Sequence, residues 1–319
     1  MQHCNSFKNI NLHYSCSNNY LILLILYAII VIMKKDTIIE HSKIANRVMY
    51  YIYRHIDSNI NIDELPKELA VSKFHLHKIF KEQMGANIYE TIKSIRLQKA
   101  ANLLITNQNS TITQIATMCG YGSQSSFIRV FKERFGYTPT QWRKGRYLEY
   151  SSQILKQEPI SSKSFEDMEP EIVKIADIKA YYIRHKGYGK SIKTIWQKLQ
   201  AWCYSNDLEE SKQIAIYHDN PIITPLNECS YIAAVGTDKR VKSNSLAEFK
   251  IPAGLYAKFS VSGEYGDILK FIQWVYHSWL PKSGYETTPM PSFSTFGKNH
   301  FLSADSRFEI EYYLPIIFA

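Results

Sequence analysis

The 319-residue sequence predicts a multidomain protein: an all-α region with two helix-turn-helix units, followed by an α+β region of two βαββ repeats. Three observations predict this fold class. Apolar residues at helical spacing surround a tight turn within residues 111–143, and a similar pattern occurs 51 residues earlier. The C-terminal half resembles itself after a shift of 77 residues. The length suits two domains of ordinary size, and the composition is that of a soluble globular protein.

The second helix-turn-helix unit is the stronger of the two. Apolar residues recur at helical spacing from Ile112, Gly120 follows as a helix terminator, and Ser123 can cap the second helix. One face of that helix is aromatic and the other is polar. Glutamine can pair with adenine and arginine with guanine, whereas serine and lysine can hold base edges or phosphates. The predicted DNA contacts are Ser123, Gln124, Ser125, Arg129 and Lys132.

A first copy of the unit is indicated by internal repetition. Residues 80–85 and 131–136 both read Phe-Lys-Glu-x-x-Gly. The supporting helix of the first copy would contain Ile62 and Leu65, and its reading helix would run from Lys73 to Met84. An outward aromatic ring beside basic residues suits a thymine methyl group and the DNA backbone. The predicted contacts here are Phe74, His77, Lys78 and Lys81.

The two units are separated by residues 88–106, which predict a single helix of about 28 Å. Such a helix would hold the reading helices near one duplex turn apart, so that one monomer could enter two successive major grooves. Pro66 is an irregularity in the first unit. If Asn61 caps the first supporting helix, Pro66 lies just past the first turn, where proline removes a backbone hydrogen bond and predicts a kink.

The motif IA-x3-GYGSQSSF-x-RVFK-x2-FG-x-TP-x2-WR, at residues 115–143, resembles the signature of AraC-type bacterial transcription regulators. The resemblance extends back to about Ile44. It implies sequence-specific binding to double-stranded DNA in the cytoplasm, with RNA polymerase as a partner that such regulators can contact. The family usually has a small helix former where this chain has Pro66. An ordinary amphipathic helix pair is the alternative interpretation.

Charge and cysteine usage agree with a DNA-binding protein. Residues 36–145 contain 15 Lys or Arg and 9 Asp or Glu, whereas residues 168–319 contain 17 and 16, so the basic excess lies with the helix-turn-helix units. The five cysteines are scattered and form no C-x-x-C pair, which argues against a disulfide framework and a zinc module. We therefore expect no metal and no cofactor. Cys119 is predicted to be a small core residue.

Residues 1–35 form an apolar N-terminal extension. Residues 20–33 are an unbroken apolar run of 14, which as a helix reaches roughly 21 Å and falls short of a bilayer core of ~30 Å. The run could be the core of a signal peptide, but Lys8 is the single lysine or arginine ahead of it and no small-residue cleavage site is present. We predict that Met33 is the physiological start and that the preceding residues are translated upstream sequence. Interfacial anchoring is the alternative, and no stable membrane association is expected.

The DNA-binding region is predicted to span residues 36–147. Residues 148–168 lose periodicity, are rich in serine and are predicted to be a linker. Residues 169–319 form the second region, in which a 77-residue shift aligns Gly189 with Gly266 and Trp202 with Trp279. Each unit reads as strand, helix, strand, strand. A pair of such units leaves a cleft between them, where small ligands usually bind.

Three phrases in the second region, at residues 214–225, 250–268 and 309–315, resemble effector-binding domains of the gyrase-inhibitor type. These domains follow AraC-type domains in Rob-like regulators. The resemblance implies binding of amphipathic, often cationic, small molecules in an aromatic cleft, and a few relatives hydrolyse small toxic compounds. The family's acid stands in a Phe-Glu-x-Tyr phrase where this chain has Ser294, which predicts a loss of cation preference and of hydrolysis. The predicted effector contacts are Tyr188, Trp196, Tyr217, Tyr265, Trp274, Ser294 and Phe296.

The sequence thus predicts a DNA-binding transcription regulator that responds to a small molecule and is not an enzyme. The sequence contains no G-x-S-x-G motif, no phosphate-binding loop and no H-E-x-x-H motif. His218-Asp219 is predicted to end a strand rather than to form a catalytic pair. Two alternatives stay open: a hydrolase of small toxic compounds, and a C-terminal protein-interaction module. The operator, the effector, the oligomeric state and the choice between activation and repression do not follow from the sequence.

Overall fold

The computed structural model describes residues 36–156, 161–189, 191–239, 241 and 246–318. The predicted start at Met33 and the alternative of interfacial anchoring lie outside the described residues. Within those ranges, no helix combines the length and the apolar character needed to cross a membrane.

The N-terminal region is helical, as predicted. Residues 36–54 form α1. The helices that follow are α2 (Leu65–Glu68), α3 (Lys73–Met84), α4 (Ile88–Thr106), α5 (Ile112–Met118), α6 (Gln124–Phe135) and α7 (Pro139–Gln141). A π-type turn at Trp142–Arg146 then leads into α8 (Tyr147–Leu155). Helix α8 lies partly in the stretch that the sequence predicted to be aperiodic, because Ser151 and Leu155 are buried and give this segment a packed face.

The two reading helices, α3 and α6, begin and end alike. The hydroxyl of Ser72 accepts a hydrogen bond from the backbone N–H of His75 at 3.2 Å, and that of Ser123 accepts one from Ser126 at 3.2 Å. Both helices end at a glycine with φ of 75°, in the left-handed conformation that glycine adopts at low energy. The matching ends confirm that the helix-turn-helix unit occurs twice.

The predicted kink at Pro66 is wrong. Helix α2 begins at Leu65 and has only four residues, so Pro66 lies in the first turn, where a backbone N–H would have no partner inside the helix. The side chain of Asn61 instead accepts a hydrogen bond from the backbone of Asp63 at 3.1 Å, in a turn ahead of the helix. Pro66 is therefore accommodated in the first turn of a short helix and does not bend it.

The turns within the two units also differ. In the second unit Gly120 has a positive φ of 74°, and in the first unit Ala70 takes that role with a φ of 53°. One residue, Val71, separates Ala70 from the cap of α3, whereas two residues separate Gly120 from the cap of α6. The turn of the first helix-turn-helix unit is therefore one residue shorter than that of the second. A comparison of the two units at a constant shift of 51 residues does not detect this difference.

The C-terminal region is an antiparallel sheet with helices on it. Its strands are β1 (Glu171–Ile175), β2 (Ile178–Lys186), β3 (Lys212–Tyr217), β4 (Ser230–Gly236), β5 (Ala247–Ile251), β6 (Gly254–Glu264), β7 (Tyr285–Thr287), β8 (Ser292–Lys298) and β9 (Arg307–Phe318). Its helices are α9 (Ile192–Tyr204) and α10 (Asp267–Trp274), and the latter continues through a π-type turn at Val275–Trp279. The predicted order of strand, helix, strand, strand is confirmed in both repeats, with β7 inserted in the second.

The strand order is β1-β6-β9-β8-β3-β4-β2-β5, and β7 pairs with β9. The sheet is curled. β1 and β6 pair at one end of the strand order and β2 and β5 at the other, although β1 leads directly into β2 and β5 into β6. Glu171 pairs with Lys258 in β1 and β6, and Ile178 pairs with Ile251 in β2 and β5, so one antiparallel register continues across both bends. Each repeat therefore opens with two strands separated by a bend, where the predicted order had one strand.

The helical region and the curled sheet share one apolar core. Leu104 of α4 and Phe131 of α6 belong to the same buried cluster as Leu226, Phe259 and Phe271 of the C-terminal region. Burial of such side chains is worth about 1.5–3 kcal/mol each. The shared core holds α4 against the C-terminal region.

Candidate DNA-binding surface and effector cavity

The predicted contacts of the second unit lie on one exposed face. Ser123, Ser125, Arg129 and Lys132 are exposed, and Ser123 also caps α6. The carbonyl oxygen of Gln124 accepts a hydrogen bond from the Thr113 hydroxyl at 2.8 Å. This bond fixes the amide of Gln124 at the start of the reading helix, which leaves its N–H groups to donate.

The first unit presents a different surface. Phe74 is 80% exposed, and Lys78 and Lys81 are exposed as well. His77 is half-buried and its ring stacks on Tyr89, with the ring centroids 5.9 Å apart. Phe74 and the two lysines therefore lie together on the surface, whereas His77 is partly buried against Tyr89.

Helix α4 supports both units. On one side, Leu76, Ile79 and Phe80 of α3 are buried with Ile92 of α4. On the other side, the indole N–H of Trp142 donates to the backbone oxygen of Ala101 at 3.1 Å, and the ring packs against α6. The relative position of the reading helices is thus set by the packing of α4.

Arg96 of α4 lies between the segment that follows α1 and the turn of the second unit. Its guanidinium donates to the backbone oxygens of Ile56 at 3.0 Å and Ser58 at 2.6 Å. A Cβ atom added at Gly120 would come within 2.6 Å of the same guanidinium. Glycine at this turn therefore provides both a left-handed backbone and the space that Arg96 occupies. Burial lowers the pKa of Arg96 from its ordinary value.

A cavity of about 130 Å³ lies between α4 and the curled sheet. Its lining includes three of the predicted effector contacts, Tyr188, Tyr217 and Tyr265, together with apolar residues of α10. The predicted cleft between the repeats is therefore present, but the helical region covers it. Four residues of α4 line the cavity: Ile95, Gln98, Lys99 and Asn102.

Four predicted contacts lie outside the lining of this cavity. Trp196 is buried, donates its indole N–H to the Tyr231 hydroxyl at 2.9 Å, and packs against Phe296 at 5.3 Å between ring centroids. Trp274 is packed near Phe165 and Phe259. These three rings pack against other aromatic side chains and are not part of the cavity lining, a distinction that spacing alone does not make.

Ser294 is fully buried in β8, where it pairs with Ala215 on one side and Tyr312 on the other. Ser294 is outside the lining of the cavity, although Tyr312, with which it pairs, is part of that lining. The role of this position in effector binding therefore stays a prediction.

The cavity does contain a carboxylate that sequence reasoning missed. One oxygen of Asp219 accepts a hydrogen bond from the Gln98 amide at 2.9 Å, and the other accepts one from the backbone of Ser230 at 2.8 Å. Burial raises the pKa of Asp219 above its ordinary value. The carbonyl of Gln98 in turn accepts from the backbone N–H of Asn220 at 3.1 Å. No sequence signal connects Gln98, in the DNA-binding region, with this acid.

His218 follows the end of β3, as predicted. Its Nδ1 lies 2.6 Å from the hydroxyl of Tyr53 in α1, and the two rings are stacked. Burial lowers the pKa of His218 to about 3, so the ring is neutral at physiological pH. His218 therefore joins α1 to the C-terminal region.

Asn46 of α1 makes a second polar connection. Its amide donates to the Tyr182 hydroxyl at 2.7 Å, and its carbonyl accepts from the Arg184 guanidinium at 2.9 Å. Asn46 is buried and uses both ends of its side chain. These bonds reinforce the apolar contact between the two regions.

Two helix-turn-helix units on a shared helix, with a cavity between that helix and a curled sheet, define the class of helix-turn-helix proteins with a ligand-binding domain. A family model described as a helix-turn-helix domain matches residues 65–145. A second, described as a GyrI-like small molecule binding domain, matches residues 168–317. The chain belongs to the AraC-type family of DNA-binding transcription regulators.

Three relatives illustrate the similarity. The F1 operon positive regulatory protein of Yersinia pestis is 27% identical over 280 residues, which cover 85% of this chain and 87% of the relative. Regulatory protein SoxS of Escherichia coli K12 is 36% identical over 104 residues, 33% of this chain and 96% of the relative. The xylose operon regulatory protein of the same strain is 37% identical over 97 residues, 30% of this chain. The chain covers only 24% of the length of that last relative.

Proposed function

We propose that this protein regulates transcription by binding specific sequences in double-stranded DNA, and that a small molecule in the cavity modulates the binding. The observation that carries the DNA-binding part is the pair of similarly capped reading helices on α4. Helix α4 has 19 residues and a length of about 28 Å, close to the turn of a duplex at about 34 Å. One chain can therefore place both helices in successive major grooves.

In the second unit, we assign base reading to Arg129 and Gln124 and phosphate binding to Lys132. Arginine forms two hydrogen bonds with guanine, which is worth about 1–3 kcal/mol of discrimination. Lys78 and Lys81 would bind phosphates in the first unit, beside the exposed ring of Phe74. Both units are in the basic half of the chain, which favours phosphate contact. As a regulator the protein would act in the cytoplasm, with RNA polymerase as a further partner.

For the cavity, we propose a neutral aromatic effector bound mainly by apolar burial. Aromatic and aliphatic side chains such as Tyr188, Tyr217 and Ile268 supply the apolar contacts. The acid in the lining, Asp219, already accepts hydrogen bonds with both oxygens. A cation would have to share these oxygens with the two donors and would lose its own water on entering the cavity, so we expect a neutral effector and a weak dependence of its affinity on salt.

The DNA-binding proposal is tested by selecting duplexes from a random pool with the full chain. Arg129→Ala should weaken binding to the selected duplex by about 1–3 kcal/mol and a scrambled duplex much less. Lys132→Ala should weaken both alike and lower the salt dependence by about one unit in the logarithmic slope. Glu133→Ala, at an exposed position of the same helix, is the matched control and should weaken binding to neither the selected nor the scrambled duplex.

Two results would contradict this proposal. One is that no duplex is enriched by the selection. The other is that Arg129→Ala reduces the affinity for selected and scrambled duplexes equally, because a residue that only binds phosphate would give that result.

A further inference from the structure

One wall of the cavity belongs to the DNA-binding region. Ile95, Gln98, Lys99 and Asn102 all lie on α4, and the remaining described lining residues belong to the C-terminal region. Helix α4 also carries both reading units. A molecule in the cavity would therefore contact the helix whose packing sets the position of the reading helices.

Gln98 is the main polar link between this wall and the sheet. Its amide nitrogen donates to Asp219 and its carbonyl accepts from the backbone of Asn220, so both ends of one side chain are engaged. Asp219 is in turn held by the backbone of Ser230. Asn102 makes a longer contact, 3.4 Å from its amide to the Thr287 hydroxyl. We refer to the bonds of Gln98 with Asp219 and Asn220 as the Gln98 clamp.

The size of the cavity indicates how an occupant would affect the clamp. The volume of about 130 Å³ is close to that of an engineered cavity of about 150 Å³ that admits benzene, whereas sites for larger ligands measure about 300–1,000 Å³. The walls formed by strands are fixed by ladders of backbone hydrogen bonds. The α4 wall is held to the cavity rim by side chains, so a fused-ring ligand would enlarge the cavity most readily on this side.

We propose that Gln98 couples the cavity to DNA binding: a neutral fused-ring aromatic molecule opens the Gln98 clamp, shifts α4 against the sheet and thereby changes the affinity for DNA. This inference rests on the proposed function of the cavity. A ligand shifts a conformational equilibrium only through different interactions with the two states, and the clamp supplies that difference. The coupling is reciprocal, so DNA must change the affinity for the ligand by the same factor.

The experiment uses the full chain, a duplex selected by it, and Nile red, a neutral fused-ring dye whose fluorescence increases in apolar surroundings. The Kd of Nile red is measured with and without saturating duplex. We expect a ratio within about 5–150 for the unaltered chain. Gln98→Leu, which has similar volume and cannot form the clamp, should still bind dye and duplex but reduce the ratio to nearly 1. Gln153→Leu, the same change at an exposed position of α8, should keep the full ratio.

A cavity-filling change separates the two levels of the proposal. Ile268→Trp places a large ring in the lining and should abolish the fluorescence increase. If the dye fails to bind the unaltered chain, or binds Ile268→Trp equally well, the effector cavity of the proposed function is wrong. If dye and duplex both bind but the Kd ratio is 1, or if Gln98→Leu keeps the ratio of the unaltered chain, the coupling through Gln98 is overturned.

Amide hydrogen exchange provides a test that needs no substitution at Gln98. Nile red should increase exchange in peptides that cover residues 95–102 and the Asn220 amide, because the clamp protects that amide. Unchanged exchange in both peptides at saturating dye would overturn the proposal, even if Gln98→Leu proved too unstable to purify.

Discussion

Gly120 and Gly136 form a natural pair for testing how Arg96 packs against the turn of the second unit. Both glycines have φ near 75°, so alanine at either position should lose about 1–2 kcal/mol from backbone strain. Their surroundings differ. A Cβ atom at Gly136 would meet nothing within 4 Å, whereas one at Gly120 would lie 2.6 Å from the Arg96 guanidinium.

The additional loss at Gly120 follows from the bonds of Arg96. A guanidinium at the end of a flexible side chain can move aside, but here it donates to the backbone oxygens of Ile56 and Ser58. Hydrogen bonds of charged groups contribute about 1.5–3 kcal/mol each, so the loss of one makes Gly120→Ala about 1.5–3 kcal/mol more destabilising than Gly136→Ala. The free energy of unfolding of both variants is measured by urea denaturation.

A double-mutant cycle isolates the cause. In an Arg96→Ala background the clash is removed, so Gly120→Ala should lose only the strain of about 1–2 kcal/mol. Equal destabilisation by Gly120→Ala and Gly136→Ala, or an unchanged effect of Gly120→Ala without Arg96, would refute the reasoning.

Three other outcomes are expected. Ser294→Glu should destabilise the fold by more than about 2 kcal/mol, because it buries a carboxyl group, whereas Ser294→Ala should be nearly neutral in the same urea titration. Burial lowers the pKa of His218 to about 3 and those of His277 and His300 to about 4, so the unfolded chain binds more protons below pH 6.5. Stability should therefore fall as pH decreases from 6.5 towards 4, by at most about 1.4 kcal/mol per pH unit for each histidine, and a flat profile would contradict this burial. Phe74→Ala should change stability by less than about 0.5 kcal/mol and weaken binding only to duplexes with thymine at the contacted position, as competition between duplexes would show.

The sequence determined the local elements of this protein. Helix α4 was predicted at its observed bounds, and the caps of α3 and α6 follow from a serine before and a glycine after each helix. The duplicated strand and helix order of the C-terminal region was likewise predictable, because hydrophobic periodicity and turn residues act over a few positions. The predicted kink at Pro66 was wrong, because it assumed a helix capped by Asn61, whereas α2 begins at Leu65.

The tertiary structure decided what lies beside the cavity. Tyr188 and Tyr217 reach its lining, whereas Trp196 and Ser294 are covered by neighbours from other strands, and periodicity gives the face of a residue but not its depth. The contact between Gln98 and Asp219 joins residues that are 121 positions apart, one in the helical region and the other in the α+β region. The hydrophobic periodicity around Gln98 and around Asp219 does not predict this contact, because the two residues meet only when α4 packs on the curled sheet.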